Sequence, residues 1–88
     1  MKEFLAELLD LPGVSGYEEI IARRISDEFS KYCDEVQTDS FYNVYGIKRG
    51  TAPKDGSPAP KVMLAAHMDE IALMMRDVTE EGFLRFTN

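Results

Sequence analysis

The sequence predicts an α/β fold class, with two helices followed by a mixed β-sheet. Three observations carry that expectation. Apolar side chains recur at helical spacing through the first third of the chain, the period shifts to two at Glu35, and Lys61–Ala66 holds an unbroken apolar run.

Lys2–Leu9 carries Phe4, Leu5, Leu8 and Leu9 at helical spacing. Leu11-Pro12-Gly13 stops this helix, because proline disfavours helix at the residue before it and glycine follows. Ser15-Gly16-Tyr17-Glu18 matches a capping box, in which Ser15 accepts from free backbone N–H groups and Glu18 reaches back. The predicted second helix then aligns Ile21, Ile25, Phe29 and Tyr32 in one stripe and runs to about Cys33. From Glu35, EVQTD alternates and FYNVYGIK is rich in aromatic and β-branched residues, so a first pair of strands is expected around an Asp/Ser turn. GTAPKDGSPAP (50–60) is a loop by its prolines and glycines. Lys61–Ala66 reads as a central strand covered on both faces. IALMMRDV and FLRF read as two further strands joined by Thr79-Glu80-Glu81-Gly82, and Met63, Met68, Met74 and Met75 as core filler.

Charge narrows the partners. Ten Lys and Arg against 16 Asp and Glu give a formal charge of −6, which disfavours nucleic acid and anionic membranes, both of which need a basic face. Cys33 is the only cysteine, so no internal disulfide or Cys-x-x-Cys knuckle exists, and a reducing, cytoplasmic setting is expected. MKEFLAELLDLPG has acids within its apolar pattern and reads as an amphipathic helix, not a signal peptide. The chain ends at FLRFTN without a closing helix, which reads as part of a larger domain.

The chemistry concentrates in VMLAAHMDEI (62–71). His67, the only histidine, ends the apolar run, and Asp69 and Glu70 follow. Residues two apart in an extended segment face one side, so His67 and Asp69 can meet. A carboxylate on one ring nitrogen fixes the tautomer and presents the other nitrogen to a metal. A hydrogen-bonded structural histidine at a strand end is the competing reading. His-x-Asp is also insufficient alone, since a zinc site needs three or four protein ligands. Asp34, Asp39 and Asp55 fall in turns or loops with no spacing that points at His67, and no nucleophile elbow is present. Glu70 reads as solvated or structural, and Ser15, Gly16 and Glu18 as cap and turn.

LPGVSGYEE, FYNVYGIKRG and KVMLAAHMDEIALMM followed by EGFLRF resemble the M42 family of metallo-aminopeptidases, in the family's order of motifs. The resemblance implies a zinc-peptidase-like α/β/α catalytic domain, with residues 1–75 as its N-terminal portion. Residues 76–88 would begin an inserted β-barrel-like dimerisation domain. It implies a binuclear site holding zinc or cobalt, with His67 as the first metal-ligand histidine and Asp69 as the catalytic-site acid that supports it. It implies peptide substrates and a homo-oligomer. Ala72 departs from the family's usual glycine, and a methyl group there is expected to alter local packing without abolishing the site. The bridging aspartate, the general-base glutamate and the remaining ligands lie downstream in the family, so the 88-residue chain is expected to be inactive alone. The alternative is a non-catalytic short product that binds a full-length homologue through exposed sheet edges. A fragment of this kind is expected to expose VMLAA and LMM.

Overall fold

The first helix, α1, spans Lys2–Asp10, and its C-cap Leu11 turns to extended backbone ahead of Pro12. The computed structural model describes residues 1–87. The second helix, α2, spans Glu19–Phe29 and, among the described residues, contributes the only buried large side chain, Ile21, together with Ala22. Arg24 ties the two helices together. Its guanidinium grips Glu7 through Nε at 2.6 Å and Nη2 at 2.8 Å, donates to Glu28 from Nη1 at 3.0 Å, and lies over the Phe4 ring. The network is half-buried at Arg24 and Glu28 and exposed at Glu7.

The capping box does not form as expected. The N-cap is Glu18, which caps with no side-chain bond, and α2 starts at Glu19. Glu18 does reach back, but to the Gly16 N–H at 2.8 Å, across a turn that Gly16 makes at φ 88°. The helix also closes at Phe29 instead of Cys33. Residues 30–33 continue as hydrogen-bonded turns, which bring Cys33 into half-buried contact beneath the first hairpin.

That hairpin pairs β1 (Glu35–Thr38) with β2 (Val44–Ile47), antiparallel, with Val36 opposite Gly46 and Thr38 opposite Val44. Both strands pack on α2. The open end is closed by the Asp34 N–H donating to the Ile47 carbonyl and the Arg49 N–H donating to the Asp34 carboxylate. At the other end Asp39 organises the loop. Its Oδ1 accepts from the N–H groups of Phe41 and Asn43, both at 2.9 Å, and its Oδ2 from the Asn43 amide and the Tyr45 hydroxyl. These bonds hold Tyr42 at φ 62°, an uncommon conformation for a bulky residue.

The Asn43 amide is the largest of the influences that hold the Asp39 carboxyl below the usual carboxylate range. A carboxyl lowered in the folded state stabilises fully above its unfolded value of about 3.9, and that contribution fades as pH falls through the lowered folded value. The Phe41 and Asn43 amides are therefore expected to lose hydrogen-exchange protection on acidification from pH 6 to below that range, ahead of the Gln37 and Tyr45 amides of the ladder. Unchanged protection at both amides would contradict this role for Asp39.

The second hairpin pairs β3 (Met74–Val78) with β4 (Leu84–Thr87), antiparallel, with an irregularity between Met75 and Asp77. It turns at residues 79–83, where the Thr79 N–H donates to the Phe83 carbonyl and Gly82 sits at φ 86°. The two helices, both hairpins and the 50–60 loop thus fall where the sequence places them.

Three further expectations are overturned. There is no single mixed sheet: the described residues form two separate two-stranded antiparallel sheets. Lys61–Ala66 is in no strand, and the side chains of Val62 and Leu64 are 83% and 93% exposed. A central strand needs a ladder partner on each edge and a layer on each face. Each two-stranded sheet keeps open outer edges, but among the described residues neither pairs with 61–66 and no layer covers it. Met63, Met74 and Met75 are exposed for the same reason and fill no core. The exposure of VMLAA and LMM matches what was expected of a fragment. The shape is correspondingly elongated, 74 × 24 × 17 Å with a radius of gyration of 19.1 Å, against about 12 Å for a compact chain of this length.

Candidate metal-ligand site

The site is assembled by two segments that come together far from each other in sequence. Gly13 and Glu70 exchange bonds: the Glu70 N–H donates to the Gly13 carbonyl at 2.8 Å, and the Gly13 N–H donates to Glu70 Oε1 at 3.3 Å. Val14 and Glu70 form a parallel bridge beside them. Gly13 is buried, and a Cβ there would lie 3.2 Å from the Met68 carbonyl and 3.3 Å from Ile21. Glycine thus lets the turn after α1 approach the backbone just beyond His67. Pro12 ends α1, Gly13 permits contact, and the pairing lays residues 13–15 alongside 68–70.

This register carries the polar groups. Ser15 Oγ donates to Asp69 Oδ2 at 2.5 Å. Asp69 Oδ1 lies 3.1 Å from His67 Nδ1, and the Asp69 carbonyl oxygen lies 3.2 Å from the same nitrogen. A carbonyl oxygen and an ionised carboxylate both only accept, so in the neutral imidazole Nδ1 carries the hydrogen and Nε2 keeps its lone pair. The His67 side chain is 86% exposed, which leaves Nε2 open to a ligand. The Ser15 hydroxyl is the largest influence on Asp69 and, with the His67 ring, keeps its carboxyl below the usual carboxylate range. Asp69 is thus ionised at neutral pH, with each oxygen engaged.

A single imidazole so oriented fits one position of a metal centre, in the arrangement by which a carboxylate fixes a ligating histidine. Among the described residues, no group of three or more His, Cys, Asp or Glu side chains comes together to hold an ion. Asp34, Asp39 and Asp55 are engaged locally, with Arg49 and Lys48, with the 41–45 loop, and with Ser57. Beside His67 runs an apolar groove of about 560 Å³ lined by Val14, Tyr17, Ile71, Leu73 and Met74. Ala72 lies along it and is not among the residues at positive φ, so its backbone conformation does not require glycine.

The structure brings together the two residues predicted from sequence, His67 and Asp69. It adds two whose part in the site the sequence did not reveal. Ser15, read as a helix cap, bonds to Asp69 across 54 residues. Glu70 secures Gly13. Neither pairing leaves a local signal, since Ser15 and Glu18 fit a capping box equally well.

No helix among the described residues is long and apolar enough to cross a membrane. The model of the M42 glutamyl aminopeptidase family matches residues 44–88. The chain is 39% identical over 84 residues to the lysyl aminopeptidase of Pyrococcus furiosus, covering 94% of this chain and 22% of that protein. It is 37% identical over 87 residues to a protein of Acetivibrio thermocellus named "Putative aminopeptidase", covering 99% of this chain and 24% of that one. The Escherichia coli protein SgcX is 36% identical over 89 residues, covering 98% of this chain. The chain thus spans less than a quarter of the length of these relatives. No solved structure matches it.

Proposed function

The chain belongs to the M42 glutamyl aminopeptidase family, and from that premise we propose that it forms the N-terminal segment of a metal-dependent aminopeptidase. In this reading residues 1–75 are part of a zinc-peptidase-like α/β/α catalytic domain, and residues 76–88 enter an inserted β-barrel-like domain. The protein acts on peptide N-termini in the cytoplasm as a homo-oligomer and holds two divalent ions, zinc or cobalt. The observation that carries the proposal is the oriented imidazole. His67, within the region matched by the family, has Nδ1 fixed by Asp69 and Nε2 open.

A bound metal ion supplies Lewis acidity, polarising a carbonyl and activating water. The residues of this chain do something narrower. Asp69 holds the proton on Nδ1 and keeps the His67 ring in one orientation. The Gly13–Glu70 pairing keeps that unit on a fixed backbone. The other ligands and the general base belong to the part of the relatives' length that this chain does not span. The 88 residues alone are therefore proposed to be inactive. The short-product alternative gains no specific support, since exposed edges and apolar surface are equally expected of a catalytic-domain segment.

The test is a chimera in which residues 1–88 replace the corresponding segment of the lysyl aminopeptidase of Pyrococcus furiosus. The chimera is expected to bind zinc or cobalt and release N-terminal residues from aminoacyl substrates, while the purified 88-residue chain with either metal does not. A folded chimera that neither retains metal nor hydrolyses substrate would sink the proposal. Activity from the 88-residue chain would sink its second half.

A further inference from the structure

We propose that Ser15 is a positioning residue for His67: its hydroxyl pins the Asp69 carboxylate and, through it, fixes which ring nitrogen faces outward. Three features of the structure combine to support this. Ser15 Oγ and His67 Nδ1 take opposite oxygens of one carboxylate, at 2.5 and 3.1 Å. A carboxylate held at only one oxygen can rotate about its side-chain torsions, whereas one held at both has a single orientation. The backbone pairing sets the distance, because the Val14–Glu70 bridge lies one residue from both Ser15 and Asp69. Little side-chain entropy is then lost in making the Ser15–Asp69 bond, which matters for a bond made at the surface. Ser15 takes no part in capping α2, since the N-cap is Glu18 and no side chain caps it. Its hydroxyl has no other assigned task.

Two acceptors face Nδ1, the Asp69 carbonyl and Oδ1. The carbonyl is fixed by the backbone and remains after any change at Ser15. The carboxylate contribution depends on Ser15. Removing the hydroxyl is therefore expected to weaken the Nδ1–H preference without abolishing it, and restoring a hydroxyl is expected to restore it. The consequence for metal binding rests on the aminopeptidase reading. The tautomer itself does not.

The presence of one histidine makes the test direct. In the metal-free 88-residue chain labelled with ¹⁵N-histidine, the two ring nitrogens report the tautomer of His67 alone. The Nδ1–H form is expected to predominate. It should lose population in Ser15→Ala and recover in Ser15→Thr, with Gly13 and Glu70 amide protection unchanged in both. A tautomer ratio unmoved by Ser15→Ala overturns the proposal. So does loss of the Gly13–Glu70 pairing in that variant, which would make Ser15 a structural residue. In the chimera, Ser15→Ala is expected to cost about tenfold in zinc affinity, the low end of outer-shell effects. Ser15→Ala combined with Asp69→Asn should bind zinc no more weakly than Asp69→Asn alone, because both changes break one chain of contacts. Additive losses would show that Ser15 acts by another route. Failure of the chimera to bind metal at all would count against the aminopeptidase reading and leave the histidine spectrum to decide the role of Ser15.

Discussion

Asp69→Asn in the chimera is expected to lower metal affinity by about 10- to 100-fold, and His67→Ala to lower it further. The ranking follows from what each side chain touches. His67 offers the open Nε2, so under the proposed function its removal deletes a ligand. Asp69 touches only the far side of the ring, through Oδ1 and its own carbonyl. Asparagine keeps the size and replaces the ion with a neutral amide. Its side-chain oxygen can still accept from Nδ1, but it is a weaker acceptor, and its NH₂ group meets Ser15 or His67 in place of a second carboxylate oxygen. If the NH₂ turns toward the ring, Nδ1 must accept, the hydrogen moves to Nε2, and the lone pair offered to metal is lost. Competition with a chelator, read by elemental analysis of the retained ion, separates the three proteins without relying on turnover. Equal retention by Asp69→Asn and the parent chimera would remove Asp69 from the site. Equal retention by His67→Ala would remove the site altogether.

Local pattern made most of the architecture legible, and long-range pairing made up the rest. Phe4, Leu8 and Ile21 announce helices through their spacing, and Asp39 and Gly82 announce turns through their chemistry, because each depends on residues a few positions away. Val62–Ala66 shows the limit of that logic. Its apolar run states what the segment requires, burial on two faces, and says nothing of what will provide it. The described residues form two separate hairpins, neither of which pairs with the run, and it stays exposed. The same division holds at the site. His67 and Asp69 were readable because they sit two residues apart, within reach through their own backbone. Ser15 was not, because it meets Asp69 only after Gly13 and Glu70 have joined segments from opposite ends of the chain. Its nearest neighbours in sequence pointed instead to a helix cap, and the actual N-cap lies three residues on.

Gly46→Ala is expected to destabilise the α2–hairpin unit by about 1–3 kcal/mol, the range for adding a methyl group where atoms are already in contact. The added carbon would lie 2.7 Å from Cys33 Sγ and 2.7 Å from Phe29 Cδ2. Gly46 is on β2 opposite Val36, where no positive φ is required, so close approach and not backbone conformation selects glycine there. Relief can come from two directions. Phe29 can swing toward the groove of about 690 Å³ that it shares with Ile25, Val44 and Leu64, which keeps the cost from rising further. Otherwise the hairpin lifts from α2, uncovering Ile25 and Cys33. Because Ile21 and Ala22 are the only buried apolar side chains among the described residues, so small a core has little stability to lose. Alanine also narrows the unfolded ensemble and favours a strand over glycine, which offsets roughly 0.5–1 kcal/mol of the clash. Urea denaturation should show a lower midpoint, with the Gln37 and Tyr45 amides exchanging faster. Gly50→Ala is the control, since nothing lies within 4 Å of a Cβ there. Adding Cys33→Ala to Gly46→Ala should recover part of the loss by removing one of the two close contacts, a coupling that a double-mutant cycle measures directly. If Gly46→Ala matched Gly50→Ala, β2 would not be seated on α2 as the structure places it.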